Sequence, residues 1–125
     1  MSEVKLSVVL PVRGGGVTLG RALGSCLGQS FGDLELLLVD DGMDAGARSM
    51  VEEAGRGDER VRVLANEGRG LVSALNTGLE AARGELIGRM DADDVSDGER
   101  FAQQTEYWRE RPEVGVVGCG VKITG

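Results

Sequence analysis

The sequence contains no histidine. That absence removes His-based catalytic triads, zinc sites with imidazole ligands and a histidine general base together. Aromatic residues make up only 3% of the chain, and Lys plus Arg number 14 against 21 Asp plus Glu, for a net charge of −7. With no basic excess and no basic-aromatic interleaving, nucleic acid is not an expected partner. The two cysteines, Cys26 and Cys119, stand alone without metal-ligand spacing, and each falls in an apolar stretch, so both read as small buried hydrophobes. No apolar run approaches the roughly 20 residues of a membrane span, and the N-terminus has no signal-type hydrophobic stretch after a basic start. The expectation is a cytoplasmic protein with no transmembrane segment. The phosphate loop has no Gly-Lys-Ser/Thr to build on, and the dinucleotide pattern fails at Leu19, where Gly14 and Gly16 would require a third glycine.

What is present is a regular alternation of elements. A chain of 125 residues is the size of one small domain, able to bury about two thirds of the surface its unfolded form exposes. Leu6 to Val12 reads as a central strand with Pro11 marking its exit, and Arg13 to Gly16 as a loop. Thr18 is placed to cap a helix whose Leu19, Ala22, Leu23, Cys26 and Leu27 form one buried face. Leu34 to Val39 is almost continuously apolar, as a strand covered on both sides should be. Asp44 can cap a helix to about Glu53 with Ala47, Met50, Val51 and Ala54 inward. Val61 to Ala65 alternates only partly and suits a strand near a sheet edge. A further helix opens at Asn66 to Gly70, turns Leu71, Val72, Leu75 and Leu79 inward, and stops at Gly84 as a C-terminal glycine. Leu86 to Met90 reads as a buried strand, and Ser96 with Glu99 as a capping box for a helix through Trp108, ended by Pro112. Val114 to Val117 and Val121 to Ile123 are strand-like. The pattern predicts a three-layer αβα, Rossmann-like α/β domain over 1–125, with a mostly parallel sheet and right-handed crossovers.

Two of these strands end in carboxylates: Val39 runs into Asp40-Asp41-Gly42, and Met90 into Asp91-Ala92-Asp93-Asp94. In an extended chain residues i and i+2 point the same way, so Asp91 and Asp93 can present oxygens to one spot. Such hard ligands suit Mg²⁺ or Mn²⁺, which takes one or two protein carboxylates and completes its shell with water and phosphate. Ligands of open α/β sheets sit outside the carboxyl ends of the strands, so the two acid clusters form two walls of one crevice. The plainer alternative is that the acids cap turns and helices, which weighs more on Asp40 than on Asp41. An EF-hand loop begun at Asp91 fails, because Val95, Ser96 and Ala102 stand where an oxygen ligand, Gly and Glu are required. Asp91 to Val95 also fits the D-x-D-x-[TV] signature of haloacid dehalogenase-like phosphohydrolases, but that signature belongs on a first strand.

Taken in order, Leu6 to Val12, Ser25-Cys26-Leu27-Gly28-Gln29-Ser30-Phe31, Val39 to Gly42, Gly70 to Gly78 with Asn76-Thr77-Gly78, Gly84-Glu85-Leu86-Ile87 and Asp91 to Asp94 resemble the N-terminal, nucleotide-sugar-binding half of a family 2 glycosyltransferase with the GT-A fold. The resemblance implies a donor site made of Pro11, Val12, Arg13, Asp40, Asp41, Arg69 and Asp91. Within it Asp41 would contact the base with Asp40 in support. Asp93 would be the metal ligand, with Asp91 on the ribose or metal-bound water, and Mn²⁺ or Mg²⁺ would bridge the donor diphosphate. The implied partners are a nucleotide-diphosphate sugar, a UDP-sugar first among them, and a glycan or other hydroxyl acceptor. Arg13-Gly14 stands where the family often has an aromatic and Asn, so base stacking is either lost or replaced by the flat guanidinium of Arg13. Arg69 is either a solvated charge or a phosphate counter-ion. The resemblance ends where the family's acceptor half begins, and no residue matches that half's general base. A truncated sheet of this kind is expected to bind donor without transferring sugar, and to self-associate through an exposed edge near Val114 to Ile123. A non-catalytic nucleotide- or metal-binding module is the alternative from another class.

Overall fold

The computed structural model describes residues 6–15, 18–92, 95–96 and 98–111. Four parallel strands, β1 (Leu6–Gly14), β2 (Leu34–Met43), β3 (Val61–Ala65) and β4 (Leu86–Arg89), lie in the order β3-β2-β1-β4. Side chains alternate across a strand, so β1 and β2 each feed two cores. Val8, Leu10 and Val12 with Leu34, Leu36 and Leu38 face one side, where α1 (Leu19–Leu27), α2 (Ala45–Gly57) and the first turn of α4 (Arg100–Glu110) add Leu19, Leu23, Cys26, Ala47, Val51 and Phe101. Val9, Leu37 and Val39 face the other side and meet Ala74 of α3 (Gly70–Ala81). The result is the expected αβα sandwich. The edge position of β3 is also as expected.

Several local expectations are corrected. Pro11 does not end β1; it sits inside the strand, opposite Val39. Its missing N–H is harmless because Val9, two residues back and pointing the same way, accepts from Met90 just past the end of β4 (3.1 Å), and beyond Val9 that side of β1 has no strand to bond among the described residues. β2 likewise continues through Asp40 and Asp41 to Met43 instead of stopping at Val39. β4, expected to be buried, is an edge among the described strands, with Ile87 46% exposed.

The inward face of α3 is not Leu71, Val72 and Leu79, which are exposed, but Ala74, Thr77 and Gly78, with Leu75 packed beside them. The reason is distance: a Cβ on Gly78 would lie 2.5–2.8 Å from the Val9 methyls, so only a row of small residues lets the helix approach the sheet this closely. Gly84 is not a helix terminator either, since α3 ends at Ala81. A Cβ there would meet the Ser7 backbone nitrogen at 2.7 Å, and the glycine admits that close passage.

At the amino end of the sheet a buried carboxylate ties four segments together. Glu35 accepts from the Ser7 hydroxyl (2.7 Å), the Arg83 amide (2.7 Å) and the Arg62 guanidinium (2.9 Å). Ser7 in turn accepts from Gly84 N–H (2.8 Å), and Arg62 also donates to the Ala81 carbonyl (2.9 Å). Burial pushes Glu35 up, but the bonds from Ser7, Arg83 and Arg62 outweigh it and hold the carboxyl below its ordinary range.

Helix ends show the same mixture. Asp44 caps α2 as expected, its carboxylate accepting from Ala47 N–H (2.9 Å), and the helix runs on to Gly57. Thr18 holds the N-cap position of α1 without a side-chain bond. The Ser96–Glu99 capping box does not form. Helix α4 begins at Arg100 and runs to Glu110, and its Phe101 N–H is taken by the Gln29 side chain (3.1 Å), a cap supplied from the loop after α1. Cys26 is buried, which pushes its thiol up to about 11. Cys119 and the strand-like runs at Val114–Val117 and Val121–Ile123 lie outside the described residues. Among the described residues no helix is long and apolar enough to cross a membrane.

Candidate functional site

Helices α1 and α2 lie on one face of the sheet and α3 on the other, so the chain changes sides where β1 and β4 adjoin. At such a switch point the loops at the strand carboxyl ends diverge and leave a crevice. A cleft of about 360 Å³ opens there, lined by Pro11, Val12 and Arg13 from the end of β1, Asp41 from β2, Leu71 from α3 and Asp91 from beyond β4, with Gly15, Thr18, Leu19 and Ala92 completing the wall. The structure thus brings together Pro11, Val12, Arg13, Asp41 and Asp91. Asp93 and Asp94 lie outside the described residues. Arg69 is exposed at the N-cap of α3 and does not line the cleft.

The two neighbouring acids of β2 have different surroundings. Asp40 is turned into its own strand exit. Its Oδ1 accepts from Met43 N–H (2.8 Å) and Gly42 N–H (3.0 Å), and Oδ2 pairs with Arg48 (2.7 Å). The Met43 bond leads in holding this carboxyl below its ordinary range; partial burial opposes it, and the Gly42 and Arg48 bonds add to it. Gly42 has φ +102°, which the chain adopts here without strain because the residue is glycine. Asp40 is absent from the cleft lining and braces the segment that carries Asp41.

Asp41 is oriented from the opposite direction. Its Oδ1 accepts from Asn66 Nδ2 (2.8 Å) and Gly70 N–H (3.1 Å). The Asn66 amide has one consistent orientation, because its Oδ1 must accept from Gly68 N–H (3.2 Å), an obligate donor, and also takes the Ser73 hydroxyl (2.6 Å). Nδ2 is thereby directed at Asp41. The other carboxylate oxygen, Oδ2, accepts no hydrogen bond among the described residues. Asn66 was legible only as part of a helix entrance; its position at the carboxyl end of β3, matching the acids after β2 and β4, was the available signal.

Across the cleft Asp91 is about half exposed, with a loose contact to Arg89 (3.5 Å). Among the described residues no three His, Cys, Asp or Glu side chains group as a preformed metal cage. Mg²⁺ or Mn²⁺ needs fewer: one or two accessible carboxylates suffice when phosphate and water supply the rest. Asp91 has that chemistry. The phosphohydrolase geometry is not present, since the acid run follows the fourth strand, at the edge of the described sheet, rather than the first.

The segment Ser25–Phe31 buttresses the chain after Asp91. Ser25 Oγ accepts from Ser96 N–H (3.0 Å), Gln29 bridges the Ser25 carbonyl (2.9 Å) and Phe101 N–H, and Ser30 N–H bonds the Gly98 carbonyl (2.9 Å).

Comparison with known proteins agrees with this architecture. The family model described as glycosyl transferase family 2 matches residues 7–125. The chain is 35% identical over 115 residues to the uncharacterized glycosyltransferase EpsJ of Bacillus subtilis (strain 168), a match covering 92% of this chain and 33% of that protein. It is 36% identical over 96 residues to glycosyltransferase GlyG of Streptococcus pneumoniae serotype 4, covering 76% and 32% respectively. Among solved structures, S. aureus TarS 1–349 in complex with UDP superposes with a TM-score of 0.78 at 25% identity, over 95% of this chain and 38% of that one. The mannosyltransferase PcManGT from Pyrobaculum calidifontis, in complex with GDP-Man and Mn²⁺, superposes with a TM-score of 0.74 at 24% identity, over 83% and 32%. The chain spans about a third of the length of these curated relatives.

Proposed function

Because this chain belongs to glycosyl transferase family 2, we propose that its cleft binds the nucleoside diphosphate of a sugar donor and that the whole protein transfers the sugar to an acceptor hydroxyl. The observation that carries this reading is that Asp41, from β2, and Asp91, from beyond β4, line one cleft together with Pro11, Val12 and Arg13. The carboxylate oxygens of Asp41 act as hydrogen-bond acceptors, which suits the N–H groups on the edge of a nucleobase. With Oδ1 occupied by Asn66 and Gly70, its second oxygen is the group that reads the edge of a base such as uracil or guanine. Arg13 offers a flat cation beside that base or its phosphates.

Asp91 serves the diphosphate side together with Asp93. These two carboxylates would hold Mn²⁺ or Mg²⁺, which when bound offsets the negative charge that builds on the diphosphate as the sugar leaves. The residues of this chain bind and orient the donor. No carboxylate in the described cleft is left for the acceptor, since Asp41 and Asp91 are assigned to the donor, so the proposed domain 1–125 is the donor-binding half. The general base that inverting transfer needs then belongs to other parts of the protein. The UDP complex of the TarS relative and the GDP-Man and Mn²⁺ complex of PcManGT support this class of ligand without choosing the nucleotide.

The test is a thermal shift titration with UDP and GDP, with and without Mn²⁺. Ligand at ten times its dissociation constant stabilises a native state by about 1.4 kcal/mol, several degrees for a domain of this size. The shift should require Mn²⁺ and vanish in Asp41→Ala and Asp93→Ala. No shift with either nucleotide, or an equal shift in chelator, counts against the reading.

A further inference from the structure

Arg100, in the first turn of α4, lies outside the cleft lining but bonds to both ends of the acid loop. Its Nη2 donates to the carbonyl of Arg89, the last residue of β4 (3.1 Å), and its Nη1 donates to the hydroxyl of Ser96 (2.9 Å). These two acceptors stand on either side of the segment that carries Asp91. Each side is further attached to the body: Met90 N–H bonds the Val9 carbonyl (3.1 Å), and Ser96 N–H bonds Ser25 Oγ (3.0 Å). The guanidinium lies 4.7 Å from the Phe101 ring centre, and that ring is itself buried in the core. The fork is therefore fixed in orientation by packing as well as by its two bonds.

We propose that Arg100 is a positioning residue: it closes the base of the acid loop by bridging the end of β4 to Ser96, and so sets where Asp91 stands relative to Asp41. The inference rests on the reading of the cleft as a donor site, and it names a residue that does not line that cleft. Packing alone does not explain an arginine here. Its Nε is buried and finds no acceptor among the described residues, a desolvation cost that an apolar side chain would not carry. What arginine provides and lysine lacks is two divergent donors held in one plane, as two acceptors on separate chain segments require.

The experiment compares wild type, Arg100→Lys and Arg100→Met by amide hydrogen exchange and by ligand binding. Exchange at Met90 and Ser96 should accelerate about tenfold or more in Arg100→Met, with Leu10 and Leu37 in the central strands unchanged. Exchange unaltered at Met90 and Ser96, or raised equally throughout the sheet, overturns the proposal whether or not the protein binds nucleotide. Binding is read with uridine, which lacks the diphosphate, and with UDP plus Mn²⁺. Supporting tissue around a metal-binding carboxylate is commonly worth about 10–100-fold in metal affinity. The expected result is unchanged uridine affinity, with UDP–Mn²⁺ affinity about tenfold weaker in Arg100→Met and only partly restored in Arg100→Lys. Equal weakening of both ligands, or of neither, overturns the positioning role. A wild type that binds neither UDP nor GDP with Mn²⁺ refutes the donor-site reading separately, and the exchange result still decides the bridge.

Discussion

Glu35→Gln isolates the polar network at the amino end of the sheet, far from the cleft and nearly isosteric with the native side chain. In the native protein one carboxylate oxygen takes the Ser7 hydroxyl and the Arg83 amide, and the other takes Arg62. A glutamine amide has one oxygen, so its NH₂ must confront either the Arg83 N–H or the Arg62 guanidinium, donor against donor. Leaving a buried donor unsatisfied costs about 1–3 kcal/mol. Breaking a fully buried ion pair costs about 3–5 kcal/mol, but the Arg62 side chain is 28% exposed and can turn to water, which reduces that figure. The expected loss is about 2–4 kcal/mol, from a total that for domains is about 5–15 kcal/mol. The pH dependence supplies a second check. Because the folded-state pKa of Glu35 is depressed, its contribution is fully present above the unfolded value near about 4.3 and is lost as pH falls through the folded value. The gap between wild type and variant in urea unfolding should be widest at neutral pH and narrow below about pH 4, with the denaturant slope unchanged. A gap under about 0.5 kcal/mol at pH 7, or one that persists unchanged at low pH, would refute the reasoning.

Gly78→Ala should destabilise by about 1–3 kcal/mol, because the added methyl meets Val9 and α3 must shift off the sheet; urea midpoints measure it, and a neutral effect would mean the helix moves freely. Asp40→Ala should cost about 1 kcal/mol by stripping the Gly42 and Met43 amides of their acceptor. Arg48→Ala, which breaks only an ion pair whose arginine is 54% exposed, should cost less than that; equal losses would place the weight on the pair instead of the turn. Cys26, buried with its thiol raised to about 11, should resist iodoacetamide at pH 8 in the native protein and react after unfolding in urea; rapid native labelling would contradict the packing of α1.

Some of this molecule could be read from neighbouring residues alone. The apolar runs Leu6–Val12 and Leu34–Val39 identify buried strands, and the acids that follow Val39 and Met90 mark the end of the sheet where the cleft opens, because strand periodicity and hard-ligand chemistry are local properties. Asp44 as the α2 cap is local in the same way. Other features depended on distant partners. Which residues of α3 face inward was decided by how closely the helix must approach Val9, so small residues displaced leucines that periodicity favoured. The cap of α4 came from Gln29, 72 residues away, rather than from the capping box written at Ser96 and Glu99. The separation of roles between Asp40 and Asp41 follows from one acid meeting its own turn while the other meets Asn66, 25 residues along. The bridge made by Arg100 is set by where β4 ends in space. Those contacts form only once the two cores have brought the strand ends and helix starts together, which is why no local pattern could announce them.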